Sequence, residues 1–328
     1  MYGSIRTALR LVAVPLAIVV FAAACGEKTG DPAASGTTAG SSGGDLSGSI
    51  TADGSSTVAP LAEIAAADFM AENQGVQITV GTSGTGGGFE KFCAGETDMS
   101  DASRPIEPDE AAACEKNGVE YADVQVANDG ISVVVNRDNT WAKCLTVDQL
   151  KAIWEPAAEG KVTTWKQVDP SFPDEPIDMF GPGTDSGTFD YFTGAINGEE
   201  GASRTDFSAS EDDNVIVTGV SGSKGGLGYF GLSYLLENSD KLTGVEVDSG
   251  SGCVAPSSET VQSGEYTPLS RPLFIYPSAS LLSRPEGIAF MKYFVASSAK
   301  IADEALFVPM TSQQQQASST TVESLAKG

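Results

Sequence analysis

The chain has 328 residues, with 19 basic against 44 acidic side chains, a formal charge of −25 and no histidine. An acidic excess of this size excludes nucleic acid and argues against a basic membrane-binding face, and the missing imidazole removes the commonest general base. The acidity reads as a solubility device, so an anion bound here must be held by short-range donors in a closed site.

At the start, Arg6 and Arg10 precede an uncharged run of small and apolar residues from Leu11 to Ala24. A bilayer span needs about 20 apolar residues, so this shorter run is expected to be an export signal, residues 1–24. It ends Ala22-Ala23-Ala24-Cys25-Gly26, which resembles a bacterial lipobox with Ala22 where leucine is usual. Cys25 is therefore expected to become a lipidated N-terminus after cleavage, on the extracytoplasmic face of the cell membrane. Without residues 1–24 the chain keeps 17 basic and 44 acidic residues, a charge of −27. Gly26 to Asp45 has no large apolar side chain. Such a segment cannot bury enough surface to order itself, and residues 25–45 read as a lipid-anchored flexible linker. The globular body begins at Leu46.

Strand and helix signals then alternate. Ile50 opens a strand ending at Asp53-Gly54, and Leu61, Ile64, Ala65 and Phe69 recur at helical spacing. Gln74-Gly75 breaks that helix. Val76, Ile78 and Val80 alternate with polar residues as a half-buried strand. A glycine-rich loop leads into a short helix from Phe89 to Cys93, and Asp98 to Ile106 is extended, stopped by Pro105 and Pro108. Ile131 to Asn136 reads as a buried strand. Thr146 and Gln149 form a capping box for a helix to Trp154. Ile177 to Phe180 is a strand, Thr188 to Ile196 a helix, and Gly225 to Phe230 a turn into a strand. Ser283-Arg284-Pro285-Glu286 reads as a second capping box launching a helix from Gly287 to about Ala302. The Gln313 to Gln316 run reads as low complexity near a frayed end. This order is α/β, which sets helix N-termini at the carboxyl edge of a sheet, where ligands bind. Trp141, Trp154, Trp165, Phe172 and Tyr191 are scattered among these elements and read as core rather than as a sugar-stacking platform.

Three clusters of small polar residues stand out: Gly54-Ser55-Ser56-Thr57, Ser83-Gly84-Thr85-Gly86-Gly87-Gly88 and Asp185-Ser186-Gly187-Thr188, with Ser103-Arg104-Pro105 between them. Hydroxyls, free N–H groups at helix starts and an arginine make a receptor for a tetrahedral anion. The glycine loop lacks the Lys-Ser/Thr of a nucleotide-binding P-loop, and Gly225-Gly226-Leu227-Gly228 lacks dinucleotide-fingerprint spacing. No catalytic residue, cofactor or metal is expected, since zinc would need a CxxC or histidine pattern that is missing. Beside Cys25 there are four cysteines, Cys93, Cys114, Cys144 and Cys253, which allow three pairings in an exported chain.

Six segments fall in a recognisable order: Asp53 to Pro60, Gly81 to Gly88, Asp98 to Ile106, Asp185 to Phe189, Gly226 to Tyr229 and Pro268 to Phe274. Together, across Ile50 to about Pro309, the chain resembles the PstS family, the phosphate-binding receptors of bacterial high-affinity phosphate ABC transporters. The resemblance implies a two-lobed periplasmic-binding-protein-like α/β fold (type II) with two hinge-crossing segments, near Ala127 to Gly130 and Glu265 to Ser270. Residues 46–128 plus 267–328 would form lobe one and residues 129–266 lobe two. A disulfide between lobes would impede closure, so Cys93–Cys114 and Cys144–Cys253 are the implied pairs.

Carried over to this chain, the family pattern implies phosphate donors at Ser56 and Thr57, at Thr85 and Gly86 with Ser83 as the alternate register, and at Ser186, Gly187 and Thr188. Arg104 would supply the full positive charge, because Gly181-Pro182-Gly183 stands where some members carry their arginine. A carboxylate that accepts the proton of phosphate would reject sulfate. The usual acid aligns with Ser103, so Asp101, two residues earlier, is expected to replace it, with Asp185 as the other candidate or as the group that orients Arg104. The implied protein is a monomeric, non-enzymatic receptor for inorganic phosphate, tethered to the membrane and serving an ABC permease. The alternatives are a secreted phosphatase on the same scaffold, a receptor for sulfate or molybdate, and a surface lipoprotein without a ligand.

Overall fold

Residues 46–184 and 186–327 of the computed structural model are described; the expected export signal, Cys25, the linker and Asp185 lie outside them. β1 (Ser47–Gly54), α1 (Ala59–Glu72), β2 (Gly75–Thr82), α2 (Gly84–Cys93), β3 (Met99–Ala102) and α3 (Pro108–Asn117) lead into the long β4 (Val124–Asn136). The middle of the chain holds β5 (Cys144–Thr146), α4 (Val147–Trp154), α5 (Trp165–Val168), β6 (Asp178–Gly181), α6 (Gly187–Asn197), β7 (Ser208–Ala209) and α7 (Asp213–Gly222). It continues with β8 (Gly226–Gly231), α8 (Leu232–Glu237), β9 (Leu242–Gly244), β10 (Glu246–Asp248), β11 (Cys253–Val254) and α9 (Ser258–Ser263). β12 (Ser270–Pro277), α10 (Ala279–Leu282), α11 (Pro285–Glu304) and α12 (Ser312–Leu325) follow.

The main sheet runs β2-β1-β3-β12-β4-β8-β6-β7, with β9 beside β4, and β11-β10-β5 form a small second sheet. β4 and β12 hold the two ends together. β4 pairs with β12 from Val124 to Gly130, then turns to β8 from Ile131 and to β9 from Val134. On one side β1 lies parallel to β2 and β3; on the other β6 lies parallel to β7 and β8. The buried apolar residues divide in the same way. Ile50, Leu61, Phe69, Phe290 and Phe294 belong to one cluster, and Val133, Trp154, Trp165, Phe192 and Tyr229 to another. A smaller group, with Phe89, Phe92 and Tyr276, packs around the Cys93–Cys114 disulfide that ties α2 to α3. The second disulfide, Cys144–Cys253, ties β5 to β11.

Two local expectations are corrected, and one helix was not anticipated. Pro108 ends the extended segment as expected but also occupies the first turn of α3, where a missing N–H costs nothing, and Glu107 and Glu110 cap that turn reciprocally. The box expected at Ser283 does not form: α11 begins at Pro285 after Arg284, and the Ser283 hydroxyl donates to Ser280 O at 2.7 Å. The glutamine run is not frayed but lies in α12. Thr311 Oγ1 accepts Gln314 N–H at 3.2 Å, Gln314 Oε1 accepts Thr311 N–H at 2.8 Å, and Gln315 Nε2 donates to Val295 O at 2.9 Å. α12 and the segment before it also reach β4 and α9. Asn128 Nδ2 donates to Pro309 O, Gln314 Nε2 donates to Gln262 O, and Ser318 Oγ donates to Gln125 O at 2.8 Å. By contrast, the Thr146–Gln149 box forms as expected.

Candidate functional site

Three loop-to-helix corners and two arginines surround one cavity of about 480 Å³ between the two ends of the sheet. The first corner follows β1. Ser55 N–H donates to Asp101 O at 2.9 Å, and Ser55 O accepts Val58 N–H and Ala59 N–H, so the chain turns sharply into α1. Gly54, at φ 152°, makes this approach possible, since a Cβ there would run into the main chain of Asp101. No side chain caps α1, and among the described residues the N–H groups of Ser56 and Thr57 have no protein acceptor.

The second corner is the start of α2, where the N–H groups of Thr85 and Gly86 are likewise unpaired among the described residues. Thr85 Oγ1 lies 3.1 Å from Ser103 Oγ and accepts Ser103 N–H at 3.3 Å, which joins this corner to the Ser-Arg-Pro turn after β3. The third is the start of α6, from the far side of the cleft. Ser186 Oγ caps it by accepting Thr188 N–H at 3.2 Å. Gly187 meets the first corner: a Cβ on it would collide with Thr57 Oγ1 and lie 3.4 Å from Ser56 Oγ. Three positive helix ends thus face one space.

Of the expected anion-binding residues, Ser56, Thr57, Thr85, Gly86, Ser103, Arg104 and Gly187 line this cavity. Ser83 does not; its hydroxyl donates to the Asp53 carboxylate, which also pairs with Lys91 at 2.7 Å. Ser186 and Thr188 stand behind Gly187 as cap and capped residue. Asp101 is fully buried behind the α1 corner, and among the described residues neither of its carboxyl oxygens has a partner. Burial, then the charges of Asp53 and Glu63, push its carboxyl up to about 8, so it is a neutral acid at neutral pH. Among the described residues, the carboxylates that line the cavity are Asp190 and Glu200. Burial pushes the Asp190 carboxyl up, and Arg271 partly offsets that.

The arginines differ. Arg104 presents both Nη atoms to Glu110 at 2.8 Å and its Nε to Glu107 at 3.5 Å. Arg271 was not expected. It lines the cavity from β12, donates from Nε to Asp129 at 3.1 Å and from Nη2 to Thr57 Oγ1 at 3.2 Å, and lies 3.7 Å over the Tyr191 ring. Tyr191, read above as core, packs against the core and also forms a wall of the cavity. A signal for Arg271 exists in the sequence: Ser103-Arg104-Pro105 recurs as Ser270-Arg271-Pro272. The antiparallel pairing of β3 with β12, Ala102 opposite Phe274, brings the two triplets together. A third copy, Ser283-Arg284-Pro285, is occupied elsewhere by Asp98 at 2.6 Å.

The site therefore offers many neutral donors, two guanidinium groups and no histidine. Among the described residues the one group with metal-ligand spacing is Cys144, Glu246 and Cys253, and its two sulfurs are joined in a disulfide.

The chain matches the PBP superfamily domain over residues 31–298. It is 49% identical to protein SphX of Synechocystis, over 80% of this chain and 78% of that protein. It is 41% identical to the phosphate-binding protein PstS of Staphylococcus saprophyticus, over 80% of this chain and 81% of that one. Among solved structures it resembles a possible phosphate binding protein from Planctomyces limnophilus, with 45% identity and a TM-score of 0.81 over 85% of this chain and 99% of that one. The fold, the matched domain and these identities place the chain in the PBP superfamily, within the family of the SphX and PstS proteins.

Proposed function

We propose that the protein is an extracytoplasmic receptor that encloses inorganic phosphate in this cleft and presents it to an ABC importer. The observation that carries this reading is the convergence of the three corners and two arginines on one cavity. The relatives named as phosphate-binding proteins support the cargo.

Unpaired N–H groups of Ser56, Thr57, Thr85 and Gly86 and the hydroxyls beside them supply donors from one wall. Gly187, with the Ser186 and Thr188 turn, supplies the other. Each donor strengthens when the charged oxygen it meets is withdrawn from water. Residues 46–128 with 267–328, and residues 129–266, act as two lobes on β4 and β12 as crossings, and closing them excludes solvent. A lipidated Cys25 and residues 26–45 hold this monomeric body near its permease. The ligand is held and released with no bond of it broken, a reading supported by the chain's lack of histidine, the commonest general base.

The expected result is a rise in melting temperature with phosphate, equivalent to about 2.7 kcal/mol when free ligand stands at a hundred times the dissociation constant. Sulfate and molybdate are expected to give smaller shifts, and a chromogenic phosphate ester no turnover. A larger shift with sulfate or molybdate overturns the cargo, and steady ester hydrolysis overturns the receptor.

A further inference from the structure

We infer that Arg271, carried on β12 where the two ends of the sheet join, supplies the full positive charge to the bound oxyanion, and that Arg104 serves mainly to fix the wall of the cleft. This deepens the phosphate reading and rests on it.

The two guanidinium groups are committed differently. The Arg104 fork is closed on Glu110, with both Nη atoms at 2.8 Å from the two carboxylate oxygens, and its side chain is 35% exposed. A bidentate pair of this kind takes up the directions in which an arginine would grip an anion. The Arg271 side chain is 12% exposed and meets only one oxygen of Asp129, through Nε. One Nη2 hydrogen reaches Thr57 Oγ1. Among the described residues, Nη1 has no acceptor.

The surroundings of Arg271 aim it. Asp129, itself 6% exposed, holds Nε at β4, and the guanidinium carbon lies over the Tyr191 ring at 3.7 Å from its centroid. The Tyr191 hydroxyl is in turn anchored to Pro268 O at 2.7 Å. Thr57 belongs to the wall before α1 and Tyr191 to α6, so this cation touches both walls at once. A planar, delocalised group suits that position, because it stacks and still donates in its own plane. Its burial strengthens attraction to an anion relative to an exposed charge.

The test is calorimetric titration of the full chain with inorganic phosphate, using the parent, R271M, R271K and R104M, with unliganded melting curves to check folding. R271M is expected to weaken binding by at least about a hundredfold, in line with truncating one partner of a buried charged pair. R271K keeps a charge but loses the fork and is expected to lose about tenfold. R104M is expected to lose less than about tenfold, since its charge is already answered by Glu110. Affinity of R271M within about threefold of the parent, or a greater loss in R104M than in R271M, overturns the assignment. If R271M does not fold, an R271K affinity equal to the parent's does the same. A parent that fails to bind phosphate overturns the cargo reading and this inference together, whereas a parent that binds while R271M is unaffected overturns this inference alone.

Discussion

A single methyl group on Gly187 is expected to weaken phosphate binding by about two to four orders of magnitude, with the unliganded protein still folded. Gly187 opens α6, and a Cβ built on it collides with Thr57 Oγ1 and comes within 3.4 Å of Ser56 Oγ and Thr57 Cβ. The two walls of the cleft touch there, so G187A wedges them apart. Hydrogen bonds to charged groups are worth about 1.5–3 kcal/mol each, and withdrawing one wall removes at least two of them. Intrinsic propensity runs the other way, since alanine is favoured over glycine in a helix by about 1 kcal/mol. The variant should therefore melt no lower than the parent without ligand and gain almost nothing from phosphate. A titration that leaves G187A within tenfold of the parent would show that the walls do not need this contact.

The second large effect concerns stability and pH at Asp101. Its carboxyl is completely buried, has no partner among the described residues, and is raised to about 8 by burial, Asp53 and Glu63. In the unfolded chain it titrates near 3.9. Between those values the folded state holds a proton that the unfolded state has released, so this residue makes the protein less stable as pH rises from about 4 to about 8. The penalty is small near pH 4 and complete above pH 8. Asparagine matches the neutral acid in shape and does not ionise. On moving from pH 5 to pH 9, D101N should therefore gain roughly 3–5 kcal/mol relative to the parent. Denaturant unfolding at several pH values measures the difference, and parallel curves for the two proteins would refute the burial argument. The test also separates Asp101 from ligand selectivity, because a neutral acid behind the α1 corner does not repel sulfate by charge.

Much of the architecture was legible because it rests on local rules. Strand alternation at Val76, Ile78 and Val80, the Thr146–Gln149 box and the hydroxyl-rich corners each declare themselves within a few residues. What was not legible depends on partners distant in sequence. Arg104 drew attention as the cation beside a serine, but Glu110 occupies it through a helix hidden behind two prolines, Pro105 and Pro108. Arg271 stands in the same triplet, yet its role follows from Asp129, Thr57 and Tyr191, which lie 142, 214 and, by numbering, about 80 residues away. Asp101 looked available as an acceptor; whether a strand residue faces ligand or core depends on the pleat, and here it faces inward. The glutamine run was misread for a simpler reason. Composition suggested disorder, whereas each amide that matters has an acceptor on another element.

The last helix has a mechanical consequence. Gln314 and Ser318 grip Gln262, Asn128 and Gln125, and so bind α12 to β4 and to α9 at once. On the two-lobe reading proposed above, swinging residues 46–128 and 267–328 away from residues 129–266 stretches that brace, which makes it a doorstop for the empty receptor. A protein trimmed before Ser312 would retain every cavity-lining group and yet stand wider when vacant, a change visible in small-angle scattering profiles before any change in which anion it prefers.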